Sequence, residues 1–391
     1  MKLGNLISLS GGGTPSKKNE RYWDGDVPWA SVKDFKTDLI TNTKDSISLE
    51  GVNNSATRIV PAGTLLVITR LASGKAAFTG VDMAFNQDIK AIQCSDSLDK
   101  NYLFYFFKSR TNYFEKVASG ATVKGIKIGH INNMEIPLPP LETQKRIAQI
   151  LDDAAALRNK TQKLLEEYDL LAQSIFLEMF GDVVNNKKNW ETKTIEELVV
   201  KSKGSIKRGP FGGALKKEIF VNEGYLVYEQ YHALNNDFSF ARYFINEKDF
   251  ERLKGFEVKS GDIIISCSGV YLGKLAIIPN NAKKGIINQA LLKVTLDESK
   301  MRKDFFVFHF TQENFRNKYF RANRGAGIPN FPPMGSFRKF PFICPPIELQ
   351  NQFSEKIALI EHQKKLAKKE LQESEDLFNC LLQKAFKGKL V

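Results

Sequence analysis

A chain of 391 residues, 42% hydrophobic and 26% charged, is too long for one small core and suits two ordinary domains, each with its own apolar interior. Its formal net charge of +13 and sequence pI near 9.3 favour a polyanionic partner such as nucleic acid. No apolar run of about 18 residues is present, the N-terminus lacks the basic-then-apolar layout of a secretory signal, and Cys94, Cys267, Cys344 and Cys380 stand singly; the expectation is a cytoplasmic chain without membrane span, disulfide framework or structural zinc.

Residues 1–140 read as an α+β globular stretch of short β-branched runs, Gly and Asn turns, and one aromatic-rich helix around residues 102–116. Within it, Pro61-Ala-Gly-Thr-Leu-Leu-Val-Ile is a turn feeding a strand, followed after a polar loop by Gly74-Lys75, and Asn86-Gln87 precedes another apolar strand. Phe104, Phe106 and Phe107 are read as core rather than as base-stacking residues. Ile136-Pro-Leu-Pro-Pro-Leu-Glu-Thr-Gln144 then ends the domain, its prolines stopping the strand and presetting a first helical turn. A proline-free stretch of about forty residues follows, in which Ile147, Ile150, Ala154, Leu157, Thr161, Leu164, Tyr168, Leu171 and Ile175 alternate by three and four, as in a coiled-coil seam.

The same order then returns. Residues 182–346 carry Lys259-Ser-Gly-Asp-Ile-Ile-Ile-Ser with Gly273-Lys274, then Asn288-Gln289, an aromatic helix around residues 303–320 containing Phe305, Phe306 and Phe308, and Phe342-Ile-Cys-Pro-Pro-Ile-Glu-Leu-Gln350. The repeat spans about half the chain, too long for a solenoid unit. In the last helix Phe353, Ile357, Ile360, Leu371, Phe378 and Leu381 form a less regular stripe, and Lys364, Lys365, Lys368 and Lys369 read as a solvated outer face. Charge is uneven: residues 182–346 hold 27 Lys and Arg against 17 Asp and Glu, and residues 1–140 hold 17 against 13. That distribution suits globular stretches that touch DNA and near-neutral helices that touch protein.

Catalytic signatures are missing where a DNA enzyme should show them. Asn330-Phe331-Pro332-Pro333 has the wrong order for an amino-methyltransferase loop and follows no doubly wound pattern. Gly74-Lys75 lacks the first glycine and the hydroxyl residue of a P-loop. Glu257-Val-Lys259 with Asp262 matches a nuclease site only loosely, and the repeat explains it as a turn. No catalytic residue, metal ligand or cofactor is therefore assigned.

Candidate DNA contacts lie on basic, polar, glycine-rich loops, where the backbone can approach phosphates while side chains reach base edges. In the first half these are Lys17 and Lys18, Lys33, Arg70 and Lys75, and Lys124 and Lys127. In the second they are Lys207, Arg208 and Phe211, Gln230 and His232, Ser268 and Lys274, and Arg321 and Arg324. For any one of them a solvated loop residue is the alternative.

The chain resembles the DNA specificity subunit of type I restriction-modification systems over essentially its whole length. The resemblance rests on Gly12-Gly-Thr-Pro-Ser with Tyr22-Trp23 and Val27-Pro-Trp-Ala-Ser-Val-Lys-Asp34, on the two Pro-Pro-x-Glu-x-x-Gln helix starts, on Gly209-Pro-Phe-Gly-Gly-Ala-Leu-Lys-Lys217, and on Leu381-Leu-Gln-Lys-Ala-Phe-Lys-Gly-Lys-Leu390. It implies an α+β fold with target recognition domains at residues 1–140 and 182–346, alternating with long helices at 141–181 and 347–391 that pair as an antiparallel coiled coil. It further implies that each domain reads one half of a bipartite double-stranded DNA target. The helices would set the spacer and dock two modification methyltransferase subunits, joined by restriction/translocase subunits. The competing readings are an enzyme, either with cryptic methyltransferase or nuclease motifs or as a fragment of a fused restriction enzyme, and a scaffold whose DNA binding has decayed.

Overall fold

The structure, a computed structural model, describes residues 1–72, 74–120, 124–211, 213–269, 271–320 and 331–390. It is a mixed α and β chain that divides into two compact units, one of residues 1–163 with 367–391 and one of residues 164–366. Two long helices, the central helix Leu141–Phe180 and the C-terminal helix Ile347–Ala385, each contribute one half to each unit. None of the described helices is long and apolar enough to cross a membrane.

In the first unit, a five-stranded sheet runs Ile7–Gly11, Ile89–Cys94, Leu65–Ile68, Ala76–Thr79 and Leu39–Ile40. A second sheet runs Asp45–Ile47, Trp23–Ala30, Met83–Phe85 and Ile59–Val60, with Trp23–Ala30 parallel to Met83–Phe85. The second unit repeats this plan. Ile206–Arg208, Leu291–Val294, Ile263–Ser266 and Leu275–Ile277 form one sheet, and Tyr225–Tyr228 lies parallel to Gly285–Ile287 in the other. The duplication thus extends to strands that share no obvious sequence.

The repeated motifs fold alike because their hydrogen bonds coincide. Ile68 N–H donates to Lys75 O at 2.8 Å and Gly74 N–H to Ile68 O at 2.8 Å; Ser266 N–H donates to Lys274 O at 2.7 Å and Gly273 N–H to Ser266 O at 2.9 Å. Both glycines take a left-handed φ, 84° and 76°, which L side chains resist. At the Asn turns, Asn86 Oδ1 accepts Asp88 N–H and Asn288 Oδ1 accepts Ala290 N–H, each at 3.0 Å.

Each aromatic stretch is a pair of helices rather than one, Lys100–Ser109 with Thr111–Val117 and Lys303–Thr311 with Glu313–Phe320. Phe104, Phe106, Phe107, Phe305 and Phe306 are buried, as core packing requires, at a gain of about 1.5–3 kcal/mol each. They lie in the two largest clusters of buried apolar side chains, into which the long helices also send theirs.

The helices pair antiparallel: Asp169 meets Lys364 at 2.7 Å, while Phe176 meets Phe353 at 5.5 Å between centroids. Their seam corrects the sequence reading by one residue at alternate positions. Ile147, Ala154 and Thr161 are buried as expected, but Leu157 and Leu171 are exposed, and Leu151, Arg158 and Ala172 take seam positions. Arg158 belongs there because its guanidinium lies 5.0 Å over the Phe378 ring, and Ala172 keeps room for the bulky Phe176 and Phe180 a turn on. Lys364 is also corrected. It is largely buried and bridges Asp169 and Glu361, so with Ala367 and Ser374 it completes a regular stripe rather than an outer face.

Candidate nucleic-acid interface

In the first unit, the loop after Leu65–Ile68 is zipped to residues 124–126. Leu71 N–H donates to Lys124 O at 2.9 Å and Ile126 N–H to Thr69 O at 2.8 Å. This brings the Arg70, Lys75 and Lys124 segments together, and Lys75 and Lys124 line one cleft of about 640 Å³. Lys75, Lys124 and Lys127 are exposed, and Arg70 stays half-exposed although it pairs with Asp88 at 3.4 Å. Leu71, between them, is exposed with a left-handed φ of 74°, a strain of about 1–3 kcal/mol that its bond to Lys124 helps to hold.

Lys33 is exposed on a short turn fixed by Asp34, whose carboxylate accepts Ser31 N–H at 2.7 Å, Ser31 Oγ–H at 2.9 Å and Lys44 N–H at 2.9 Å. Lys17 and Lys18 are exposed on the turn after the Gly-Gly-Thr-Pro-Ser opening. The glycines are there for space: a Cβ on Gly12 would sit 2.1 Å from Phe85 O, and one on Gly13 would sit 2.4 Å from Thr57 N. Trp29 locks the same opening by donating its indole N–H to Gly13 O at 3.0 Å.

In the second unit, Lys207 lies 4.9 Å over Phe256 and Arg208 lies 5.0 Å over Phe211, an exposed ring. Lys293, the strand partner of Lys207, donates to Glu257 O at 2.6 Å. Burial pushes its ammonium below the ordinary lysine range, against Asp262 and Glu257, which oppose that shift. Beside Arg208, burial pushes the Cys267 thiol up to about 12 despite the guanidinium, so this cysteine is an inert core residue. Lys274 is exposed at the end of the repeated hairpin. Gln230 donates to Ser266 Oγ and to Ser268 O, both at 2.6 Å, and so ties the helix Gln230–Asn235 to the hairpin loop. Arg321 and Arg324 lie outside the described residues. Among those residues, no cluster of His, Cys, Asp and Glu has the makings of a metal site.

Against this geometry, a family model for the type I restriction modification DNA specificity domain matches residues 1–167 and 187–375. The chain belongs to that family. Its relatives include the specificity subunit of the type I restriction enzyme MjaIX of Methanocaldococcus jannaschii, 28% identical over 304 residues that cover 71% of this chain and 68% of that protein. The EcoR124I/EcoR124II specificity subunit of Escherichia coli is 31% identical over 176 residues, 43% of this chain and 44% of that one. Among solved structures, the type I restriction-modification S subunit from M. genitalium covers 99% of this chain and 95% of its own at 18% identity, with a TM-score of 0.53. A chain from a study of complex assembly and conformational transition in the type I R-M system covers 100% and 97% at 16% identity, with a TM-score of 0.61. These two establish likeness of fold.

As a type I specificity subunit, the chain has DNA target recognition as its task, and two adjustments to the candidate surface follow. His232 is removed from it: the ring is fully buried, Nδ1 accepts Glu229 N–H at 2.9 Å, and Nε2 faces Phe240 O at 3.1 Å. That histidine shapes the Gln230 loop from inside. Gln87 and Gln289 are added. Each is the exposed member of an Asn-Gln turn whose asparagine is spent on the backbone, and glutamine has the amide geometry to read adenine. The recurrence of that dipeptide was the available signal.

Proposed function

We propose that each unit reads one half of a bipartite, asymmetric target on double-stranded DNA. The paired helices set the spacer and dock two modification methyltransferase subunits, with restriction/translocase subunits completing the assembly. The chain itself is non-catalytic. The observation that carries this reading is the duplicated hairpin: in each unit the same hydrogen bonds present an exposed lysine, Lys75 or Lys274, beside an exposed glutamine turn. Two similar readers on one chain make a target of two separate parts. Helices of 40 and 39 residues span about 60 Å, ample to hold readers one DNA turn of about 34 Å apart.

Replacing residues 1–140 with the matching domain of a relative, followed by methylome sequencing of cells carrying the complete system, tests this reading. One half of the methylated motif should change while the other stays. A motif altered in both halves would overturn independent reading. Purified chain with DNA and labelled methyl donor should transfer nothing until a methyltransferase subunit is added.

A further inference from the structure

We propose that Arg208 reads a guanine in the half-site of the second unit, with Phe211 holding its guanidinium ready; this rests on that unit being a DNA reader. Most of the described arginines of this unit are committed to carboxylates: Arg242 to Glu229, Arg252 to Asp249, Arg302 to Glu298 and Arg338 to Glu196. The Arg208 side chain has no ion pair or hydrogen bond among the described residues, and its Nε is sealed from solvent without an acceptor. Packing therefore places this side chain, and the Nη edge is the part left to bind.

Three features favour a base over a phosphate. The guanidinium lies 5.0 Å from the centre of the Phe211 ring, and stacking on an aromatic restricts its plane. A phosphate accepts a fork or a point charge from many directions, whereas guanine O6 and N7 lie in the plane of one base and are met by two parallel N–H groups held in that plane. Arg208 is also half-buried at the end of the strand Ile206–Arg208, so little rotamer freedom is left to lose on binding. Finally, the next residue, Gly209, packs against the Asn288-Gln289 turn so closely that a Cβ would sit 1.8 Å from Asn288 O. That contact sets the backbone of Arg208 one residue from the turn that carries the exposed Gln289, and arginine and glutamine are the side chains suited to guanine and adenine.

The test uses the complete complex with its methyltransferase subunits and duplexes of its methylated motif, in which each guanine in turn is replaced by 7-deazaguanine. Loss of N7 at one guanine of the second half-site should weaken wild-type binding about five- to 150-fold. The complex carrying Arg208→Met, which keeps an apolar stem but no donor, should ignore that replacement, and Arg208→Lys, which keeps the charge but not the planar fork, should feel it less than the wild type. Phe211→Leu, at an exposed position, should show an intermediate penalty at the same guanine. If no guanine is coupled to Arg208, or if Arg208→Lys weakens specific and random duplexes equally, the proposal is overturned and Arg208 is a backbone contact or none. If the wild-type complex does not distinguish its motif from random DNA, the reading of the unit as a DNA reader fails instead.

Discussion

Gln144 accepts the backbone N–H of Asp99 at 2.9 Å through its side-chain oxygen, and so joins the start of the central helix to the cap of the aromatic helix Lys100–Ser109. Its amide donates to Ser97 O at 2.9 Å and Pro139 O at 2.8 Å. In the second unit Gln350 does the same, accepting from Arg302 N–H at 2.8 Å and donating to Lys300 O and Pro345 O. Both side chains are fully buried. The last residue of each Pro-Pro-x-Glu-x-x-Gln signature is thus a three-bond clamp, which explains why the motif recurs.

Breaking either clamp should be costly, because three backbone groups, most of them part-buried, lose one fully buried partner together. Gln144→Ala or Gln350→Ala should destabilise its unit by about 2–4 kcal/mol, read as a lower urea midpoint. Glu at the same positions should be worse, since a carboxylate would face two carbonyls.

The repeated glycines should respond unequally. A Cβ on Gly74 would lie 2.0 Å from the Phe114 ring, whereas one on Gly273 meets nothing nearer than 3.5 Å. Both sit at positive φ, so Gly273→Ala carries the backbone cost of about 1–2 kcal/mol. Gly74→Ala adds an overpacking cost of about 1–3 kcal/mol. Denaturation curves showing equal losses would contradict the packing at Phe114.

Burial holds the His309 imidazole down to about 3 in the folded state, with Nε2 accepting Ile343 N–H at 3.2 Å. The unfolded chain takes up a proton near pH 6.5 and the folded chain does not, so acid favours unfolding. The stability of the second unit should therefore fall as pH drops from about 6.5 towards 3, by about 2 kcal/mol at pH 5. His309→Gln, which keeps an acceptor for Ile343, should flatten that limb of the pH–stability curve; an unchanged slope would point to another group.

DNA affinity of the assembled complex should fall by orders of magnitude between about 50 and 200 mM salt if roughly six or more phosphates are neutralised. Charge reversal at Lys124 with Lys127, or at Lys207 with Arg208, should weaken binding more than reversal at Lys365 with Lys368. Lys364 is unsuited as the control, since its bridge to Asp169 ties the helices together. Equal losses in gel shifts would mean that the DNA face lies elsewhere.

Inserting four residues near Thr161, a buried seam position, would add about 6 Å while turning the seam by only about 40°, which a coiled coil absorbs as a stutter. Methylome sequencing should then show the same half-sites with a spacer longer by one or two base pairs. An active complex with an unchanged spacer would contradict a ruler.

Much of this architecture was legible in the sequence because its signals are local. Proline pairs, glycine turns and a three-four alternation mark the helix starts and the hairpins wherever they occur, and 29 phenylalanines in clustered runs announce cores. Tertiary structure decided what depends on a distant partner. The seam takes Arg158 because Phe378 waits for it, and Lys364 because Asp169 does. His232 looked like a loop residue until Glu229 and Phe240 closed over it. The equivalence of strands such as Trp23–Ala30 and Tyr225–Tyr228 lies in their pairing, which a sheet fixes through backbone hydrogen bonds that many side chains can accompany. Sequence names the residues that can touch DNA; packing chooses which are left free to do so.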